Sequence, residues 1–471
     1  MSMRRRGGGG ALQNGVITEG EKTKDPEFAI RESPLTVLIE HSLHIRAIYH
    51  IFVVILLLLL CDTVVYDLVE RGKINIGITT VVEGFRDIGR SITLWLFELA
   101  VAVSFYPGLH LYAAGRKLVK KNPALCKIWS YLGFLGVVAL EVVLIFMTIH
   151  QLVHKYHALA STVAVTCEMV SLIANIERPL YCQMPDNGPY NTLPPPLKEN
   201  ILISYNISRY LIKISIHMND FFRTKRIRWE KVVLHFLEVA AIVFYNSFLF
   251  ERFILPYWSD YGKEPQVEAG SVVRGMFACV LPGVISFLCG FYCLLHAWLN
   301  AFAEMLTFGD RLFYEEWWIS SQFSRYYRAW NRVVHSWLRE HIYIPLAPNA
   351  GRAFSTFTVF IISAIAHEVV LALSFGFFYP VLLLEFGVFG LLMLPLTASG
   401  RRFPSVFNLI MWLTFFIGNG VLWSLYPMEY FARKNCPPSE SDSFFVPKSW
   451  SCPEIVMKPN WKFQNPFELI H

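Results

Sequence analysis

The chain has 471 residues, of which 54% are hydrophobic, 15% aromatic and only 17% charged, with a mean hydropathy of +0.41. These values exclude an ordinary soluble domain and place the chain among polytopic membrane proteins. The formal net charge is +6, and where the cations fall in the loops bears on orientation.

The N-terminus, Met1–Gly10 (MSMRRRGGGG), is basic and glycine-rich, and the first apolar run begins only near Ala47. No cleavable signal peptide is expected, and residues 1–46 read as a disordered cytosolic tail. A helix needs about 20 apolar residues to cross a hydrocarbon core about 30 Å thick. Runs meeting that length occur at 47–68, 92–113, 132–153, 158–175, 232–254, 273–296, 354–376, 378–397 and 406–426, giving nine expected spans. The fourth carries Ser161, Thr162, Thr166, Glu168 and Ser171, so hydropathy alone leaves an interfacial amphipathic helix open there.

Loop charge favours keeping it. With the N-terminus cytosolic and nine crossings, the cytosolic face receives Arg4–Arg6, Arg116, Lys117, Lys120, Lys121, Arg223, Lys225, Arg226, Arg228, Arg325, Arg328, Arg332, Arg339, Arg401 and Arg402. Asp260, Glu264 and Glu268 fall on the opposite face, as the positive-inside rule requires. Among the nine cysteines, Cys436 and Cys452 lie in the C-terminal tail at 431–471, which this topology places in the lumen, where the two can pair as a disulfide. The other seven read as free thiols. The sequon Asn206-Ile207-Ser208 falls in an expected cytosolic loop and should stay unmodified.

Two long segments separate the spans. Residues 176–231, with Pro194-Pro195-Pro196, read as a connector. Residues 297–353 alternate aromatics, cations and carboxylates too densely for a span and too hydrophobically for a free loop, which suits an interfacial or re-entrant segment. Trp and Tyr there also fit an interface belt.

His367 lies inside the seventh apolar run, Phe360 to Leu373. An ionisable group in a bilayer is costly unless it faces a cavity or a partner, about 2.5–3.5 kcal/mol on insertion scales. Position alone leaves two readings open: a hydrogen-bonded histidine packing a helix bundle, or a functional imidazole. Ser363 stands one helical turn before it on the same face.

The run Phe313-Tyr314-Glu315-Glu316-Trp317-Trp318, then Trp330-Asn331, then Ala366-His367-Glu368, resembles the membrane-bound O-acyltransferase superfamily in its sterol and diacylglycerol O-acyltransferase branch. Within it, Val333-Val334-His335-Ser336-Trp337 is similar to the sterol enzymes' VVHDW, Phe377 to Leu382 to their FFYPV, and Gly418 to Leu422 to their GNGV. The tail from Tyr430 to Pro437 and from Lys448 to Cys452 is similar to their disulfide-bonded lumenal end. The family's FYxDWWN ends here in Glu316, Trp317, Trp318 and Ile319, which keeps a carboxylate but removes an amide. Its HEY becomes His367-Glu368-Val369.

The resemblance implies an all-α fold of about nine transmembrane helices over 47–430, with the catalytic centre buried in the membrane. It implies transfer of a long-chain acyl group from acyl-CoA, a co-substrate, to the 3-hydroxyl of cholesterol or a related sterol. No metal, no cofactor and no nucleic-acid partner are expected. His367 is implied as general base, accepting the hydroxyl proton as a neutral imidazole, with Asn331 as the second catalytic residue. Tyr327, Tyr343, Arg352 and Ser363 match acyl-CoA contact positions, and Phe313, Tyr314, Glu316, Trp317, Trp318 and His335 belong to the motifs. Glu304 and Asn300 read equally as cavity-lining or helix-packing residues. The family also implies homodimers or homotetramers in the endoplasmic reticulum membrane. The competing functions are a diacylglycerol or fatty-alcohol acyltransferase, a transporter using Glu98, Glu141, Glu238 and His367, and an inactive sterol-binding relative.

Overall fold

The computed structural model describes residues 31–75, 77–154, 158–176, 226–439 and 442–456. The sequon at 206–208, Cys182 and most of the expected connector lie outside the described residues.

Within them the chain is helical. Helix α1 spans Pro34–His41, α2 Leu43–Tyr66, α3 Ile78–Gly84, α4 Ile88–Val119, α5 Pro123–His154 and α6 Leu159–Ile176. After the undescribed stretch come α7, Trp229–Trp258, and α8, Ala269–Met305. Short helices α9 (Phe323–Trp330), α10 (Arg332–Leu338) and α11 (Ile344–Ala350) precede α12 (Arg352–Phe375). The last two are α13, Leu383–Leu396, and α14, Pro404–Asn435. Seven of these are long and apolar enough to cross a membrane by length and composition, and α6 and α13 are shorter apolar helices at the expected fourth and eighth spans.

The polar residues of α6 are turned into the helix bundle. Ser161, Thr162, Thr166 and Glu168 are all buried, and α6 packs on α4, α5 and α12. An interfacial helix would turn them to water. Thr166 Oγ1 also donates to the Thr162 carbonyl at 2.8 Å, so the hydroxyl needs no solvent.

Contacts at the ends of α7 to α14 fix alternating directions. At one end Arg228 pairs with Glu304, and Gln322 donates to the Ala398 carbonyl at 2.9 Å. At the other, a parallel two-stranded sheet joins β1 (Gln266–Glu268) to β2 (Glu454–Val456), and the Phe378 amide donates to the Phe444 carbonyl at 2.9 Å. The Cys436–Cys452 disulfide lies at this second end. The buried Glu429 carboxylate fixes the tail there, accepting from the Lys448 and Ser449 amides at 2.8 Å each and from Arg433 Nε at 2.6 Å. The disulfide closes a loop of 16 residues, for which chain entropy gives about 3 kcal/mol. Cys436→Ser therefore lowers stability by about that amount, read as a drop in thermal midpoint. Adding reductant should lower the parent protein to match, and an unmoved midpoint in both would show that the cross-link contributes nothing.

Residues 31–46 depart from the expected tail. The Arg31 amide donates to the Gly309 carbonyl at 2.7 Å and its own carbonyl accepts from Arg311 N at 2.8 Å. Pro34 then opens α1 at a position where its missing N–H is not needed. Hydropathy does not report such a docking, because the partner lies some 280 residues away and the bonds are main-chain.

Candidate active site

The site is assembled from the segment after α8 and from α12 and α13. Helix α8 continues past the expected end of its span, placing Asn300 and Glu304 on its last turns. Both are packing residues here. Asn300 donates to the His296 carbonyl at 2.8 Å, and Glu304 binds Arg228 and Arg311.

Beyond α8 the chain folds around Trp317, which is 2% exposed and whose ring meets those of Phe291, Trp318, Tyr326, Trp330, Trp412 and Phe415. Such burial of one large ring dominates the local energetics. Phe313 and Tyr314 are buried beside it, and Tyr314 Oη shares a 2.8 Å hydrogen bond with His296 Nδ1. The Glu315 amide donates to the Ala329 carbonyl at 2.7 Å and Arg332 N to the Phe313 carbonyl at 2.9 Å, bracing the motif against the end of α9. Trp318 is held through its carbonyl, which accepts from Asn408 Nδ2 at 2.9 Å and Trp412 Nε1 at 3.2 Å. Glu316 and Ile319 are exposed, so the packing of the motif is carried by Phe313, Tyr314 and Trp317. The motif is therefore a scaffold.

Helix α9 shows why Tyr327 and Asn331 sit where they do. Phe323, Tyr326, Tyr327 and Trp330 recur at helical spacing and make one aromatic face, while Ser324, Arg325 and Arg328 are exposed. Asn331 ends α9 in an extended conformation and starts α10, its Oδ1 accepting from the Val334 amide at 3.1 Å. That cap commits the oxygen and leaves the Nδ2 hydrogens to donate. His335, one turn into α10, is partly buried; burial and the nearby Arg328, Arg339 and Arg332 hold its pKa below the usual histidine value, against a smaller opposing effect of Glu315.

Helix α12 is bounded by two glycines at positive φ, Gly351 at 82° and Gly376 at 75°, conformations that side-chain-bearing residues adopt at a cost. Arg352 is its first residue and is exposed. A cation there opposes the helix dipole, yet together with the free amides of the first turn it suits an anion. Ser363 and His367 lie on the next turns, and His367 is 15 residues beyond Arg352, about 22 Å along the axis at 1.5 Å per residue.

His367 Nδ1 is 2.7 Å from the Ser363 carbonyl oxygen. A carbonyl only accepts, so Nδ1 carries the hydrogen and the neutral ring presents its lone pair at Nε2. Ser363 thus acts on the histidine through its backbone. The imidazole stacks on Phe386 of α13, with centroids 4.8 Å apart and planes at 19°. It is otherwise exposed, where the sequence suggested a buried ring. That exposure is what a proton acceptor for an incoming hydroxyl requires.

Aromatic contacts tie the two halves of the site. Tyr327 meets Phe360 of α12 edge-on at 4.9 Å and Phe386 at 6.1 Å, and Phe386 in turn covers His367. Asn331 ends the helix that carries Tyr327, and among the described residues no direct bond connects it to His367. Tyr343 lies on the turn before α11, partly buried, in a segment that packs on α12. Hydropathy gave no sign of Phe386 or Phe360, which look like any span residues. Glu368 was visible only as part of a motif; buried at 2% exposure, it accepts from Leu383 N at 3.1 Å and Tyr426 Oη at 3.0 Å and so fixes α13 against α12. Of the groups in the transporter reading, Glu98 accepts from Thr148 at 2.9 Å, and Glu238 is bonded to His235 and Tyr292 at 2.9 and 3.2 Å.

Residues 187–427 match the family model of the membrane-bound O-acyltransferases. Sterol O-acyltransferase 2 of Homo sapiens is 32% identical over 442 residues, covering 91% of this chain and 81% of its own length. Sterol O-acyltransferase 1 of Chlorocebus aethiops is 32% identical over 468 residues, covering 94% and 83%, and that of Mus musculus is 31% identical over 442 residues, covering 90% and 79%. By its helical architecture, its Trp317-centred motif and this extent of similarity, the chain belongs to the membrane-bound O-acyltransferase family.

Proposed function

We propose that this protein is an acyl-CoA:sterol O-acyltransferase that joins a long-chain acyl group to the 3-hydroxyl of cholesterol or a related sterol, making sterol esters for storage. The observation that carries the chemistry is His367: its Nδ1–H is held by the Ser363 carbonyl and the residue is exposed, which leaves Nε2 as the acceptor. Nε2 takes the proton of the sterol hydroxyl as the oxygen attacks the thioester carbonyl. The C–S bond breaks, the ester C–O bond forms, and the imidazolium returns the proton to the leaving CoA thiolate. No acyl-enzyme is needed.

Negative charge develops on the carbonyl oxygen during attack, and the uncommitted Nδ2 hydrogens of Asn331 are suited to meet it. Arg352 and the α12 N-terminus hold the CoA phosphates, so the acyl chain runs along α12 toward His367 past Tyr327 and Ser363. A guanidinium pairs with phosphate bidentately where a lysine would offer a point charge. In this reading nine helices cross the endoplasmic reticulum membrane with the N-terminus cytosolic. The disulfide-bonded end is then lumenal, where an oxidising environment supports it. The working state is a homo-oligomer, dimer or tetramer.

The acceptor is tested by supplying purified protein with labelled oleoyl-CoA and, in separate reactions, cholesterol, diacylglycerol and a long-chain alcohol. Cholesteryl ester should dominate; ester formed only on diacylglycerol or the alcohol would rule out the sterol reading.

Asn331→Asp separates the two roles of that residue. The aspartate keeps an oxygen to cap α10 but has no amide hydrogens, so turnover should fall about 10²-fold, with the thermal midpoint held. A drop in midpoint with unchanged turnover per folded molecule would reduce Asn331 to a helix cap.

A further inference from the structure

Glu385 is a carboxylate on α13 within the apolar sequence Leu383-Leu384-Glu385-Phe386-Gly387-Val388-Phe389-Gly390, and nothing in the mechanism above uses it. A carboxylate in the hydrocarbon region is costly and marks a functional position by default. Its nearest carboxylate neighbour by sequence on α12, Glu368, is buried and doubly bonded. Glu385 is different. It is only partly buried, and among the described residues no hydrogen bond or ion pair engages it.

Its surroundings place it at the reaction site. Phe386, the next residue, stacks on His367. On the same wall, a methyl group added to Gly390 would stand 2.7 Å from Tyr327 Oη and 3.5 Å from the Glu385 carbonyl oxygen. Across from it on α14 is Gly418, where an added methyl would lie 3.7 Å from Glu385 Oε1, an ordinary contact. The carboxylate therefore lies between α13 and α14, against the bare face of Gly418. The Leu383 amide bonds Glu368, so Glu385 stands near the depth of His367, about 22 Å from the Arg352 end by the same rise per residue. The phosphates and amides of CoA enter from that end, and the acyl chain has no donor to offer. The remaining source of a hydrogen-bond donor is the acceptor alcohol.

We propose that Glu385 is a specificity-determining residue that accepts a hydrogen bond from a second hydroxyl of the acceptor, carried on the ring system close to the reacting 3-hydroxyl. This rests on the sterol acyltransferase reading. Proximity to His367 selects a hydroxyl near the reacting one, because a group at the far end of a sterol side chain is too distant to reach the same wall. A carboxyl group that meets its partner only in the bound complex rewards the diol and leaves the mono-alcohol with an unpaired polar group.

The test uses the full-length protein with oleoyl-CoA and three acceptors: cholesterol, a diol hydroxylated in the second ring, and a diol hydroxylated at the end of the side chain. For each, kcat/KM is measured in the parent, Glu385→Gln and Glu385→Leu. The parent should favour the ring diol over cholesterol, and Glu385→Leu should reduce that ratio about tenfold. Glu385→Gln, nearly isosteric and still an acceptor, should retain part of it, and the ratio for the side-chain diol should not move. An unchanged ring-diol ratio in Glu385→Leu and Glu385→Gln, or an equal shift for both diols, overturns the proposal while cholesteryl ester is still made. Absence of sterol ester from the parent protein overturns the acyltransferase reading as well.

Discussion

Replacing His367 with alanine should lower the rate of sterol ester formation by about 10²–10⁴-fold, the usual contribution of a positioned general base, with little change in folding. The separation follows from the structure. The side chain is exposed, its one hydrogen bond among the described residues is to a carbonyl of its own helix, and its ring stacks on Phe386. Truncation leaves no buried charge or donor unpaired, so stability should change only by the lost stacking, about 0.5–1.5 kcal/mol. Because the imidazole acts on the proton in flight, kcat should fall with KM for oleoyl-CoA nearly constant. Single-turnover rates with labelled oleoyl-CoA on detergent-purified protein, beside a thermal melt, measure both. A His367→Ala protein turning over within a few-fold of the parent would move the base elsewhere. His367→Gln is the companion: it restores bulk against Phe386 without a basic nitrogen, and should be as slow as alanine.

Hydropathy located all seven helices that, among the described residues, are long and apolar enough to cross a membrane, because burial in lipid is written into composition residue by residue. It also singled out His367, whose cost in that setting is local. What escaped it depends on partners distant in sequence. The α1 segment looked like tail, since its attachment is made by main-chain bonds to Gly309 and Arg311. Helix α6 was ambiguous because Ser161, Thr162, Thr166 and Glu168 describe a polar face without saying whether it meets water or other helices. Asn331 was legible as a motif residue, but its cap, which decides which end of the amide is free, appears only once α9 has ended and α10 has begun. Ser363 was assigned a substrate contact, and the structure adds a role for its carbonyl that no side-chain motif reports. Glu385 was passed over as one acid in an apolar run, and its meaning comes from Phe386 and Gly418 beside it.

Glu304→Ala should be the most destabilising single change outside the reacting groups. Its carboxylate is fully buried and accepts from Arg228 N at 2.9 Å, Nε at 2.8 Å and Nη2 at 2.8 Å, and also from Arg311 Nη2. Arg311 is itself 2% exposed, and once Glu304 is gone its remaining ion pair among the described residues is the longer one with Glu32, at 3.4 Å. Removing one member of such a group strands a buried cation, which costs about 3–5 kcal/mol. The loss also reaches the site, because Glu304 stands where α8 hands over to the segment carrying the Trp317 motif and Asn331, and because Arg311 and Glu32 link the same point to α1. Activity should therefore decline through loss of folded protein, with kcat per folded molecule preserved longest at low temperature. Glu304→Gln keeps an acceptor but not the charge and should fall between alanine and parent. Removing both charges of the most buried pair, in Glu304→Leu with Arg311→Leu, should recover much of the lost stability, since no unpaired ion remains between them. If Glu304→Ala melts with the parent, or if the double substitution is no better than the single one, the site is not held in place by this ion cluster and must be anchored by the Trp317 aromatic core alone.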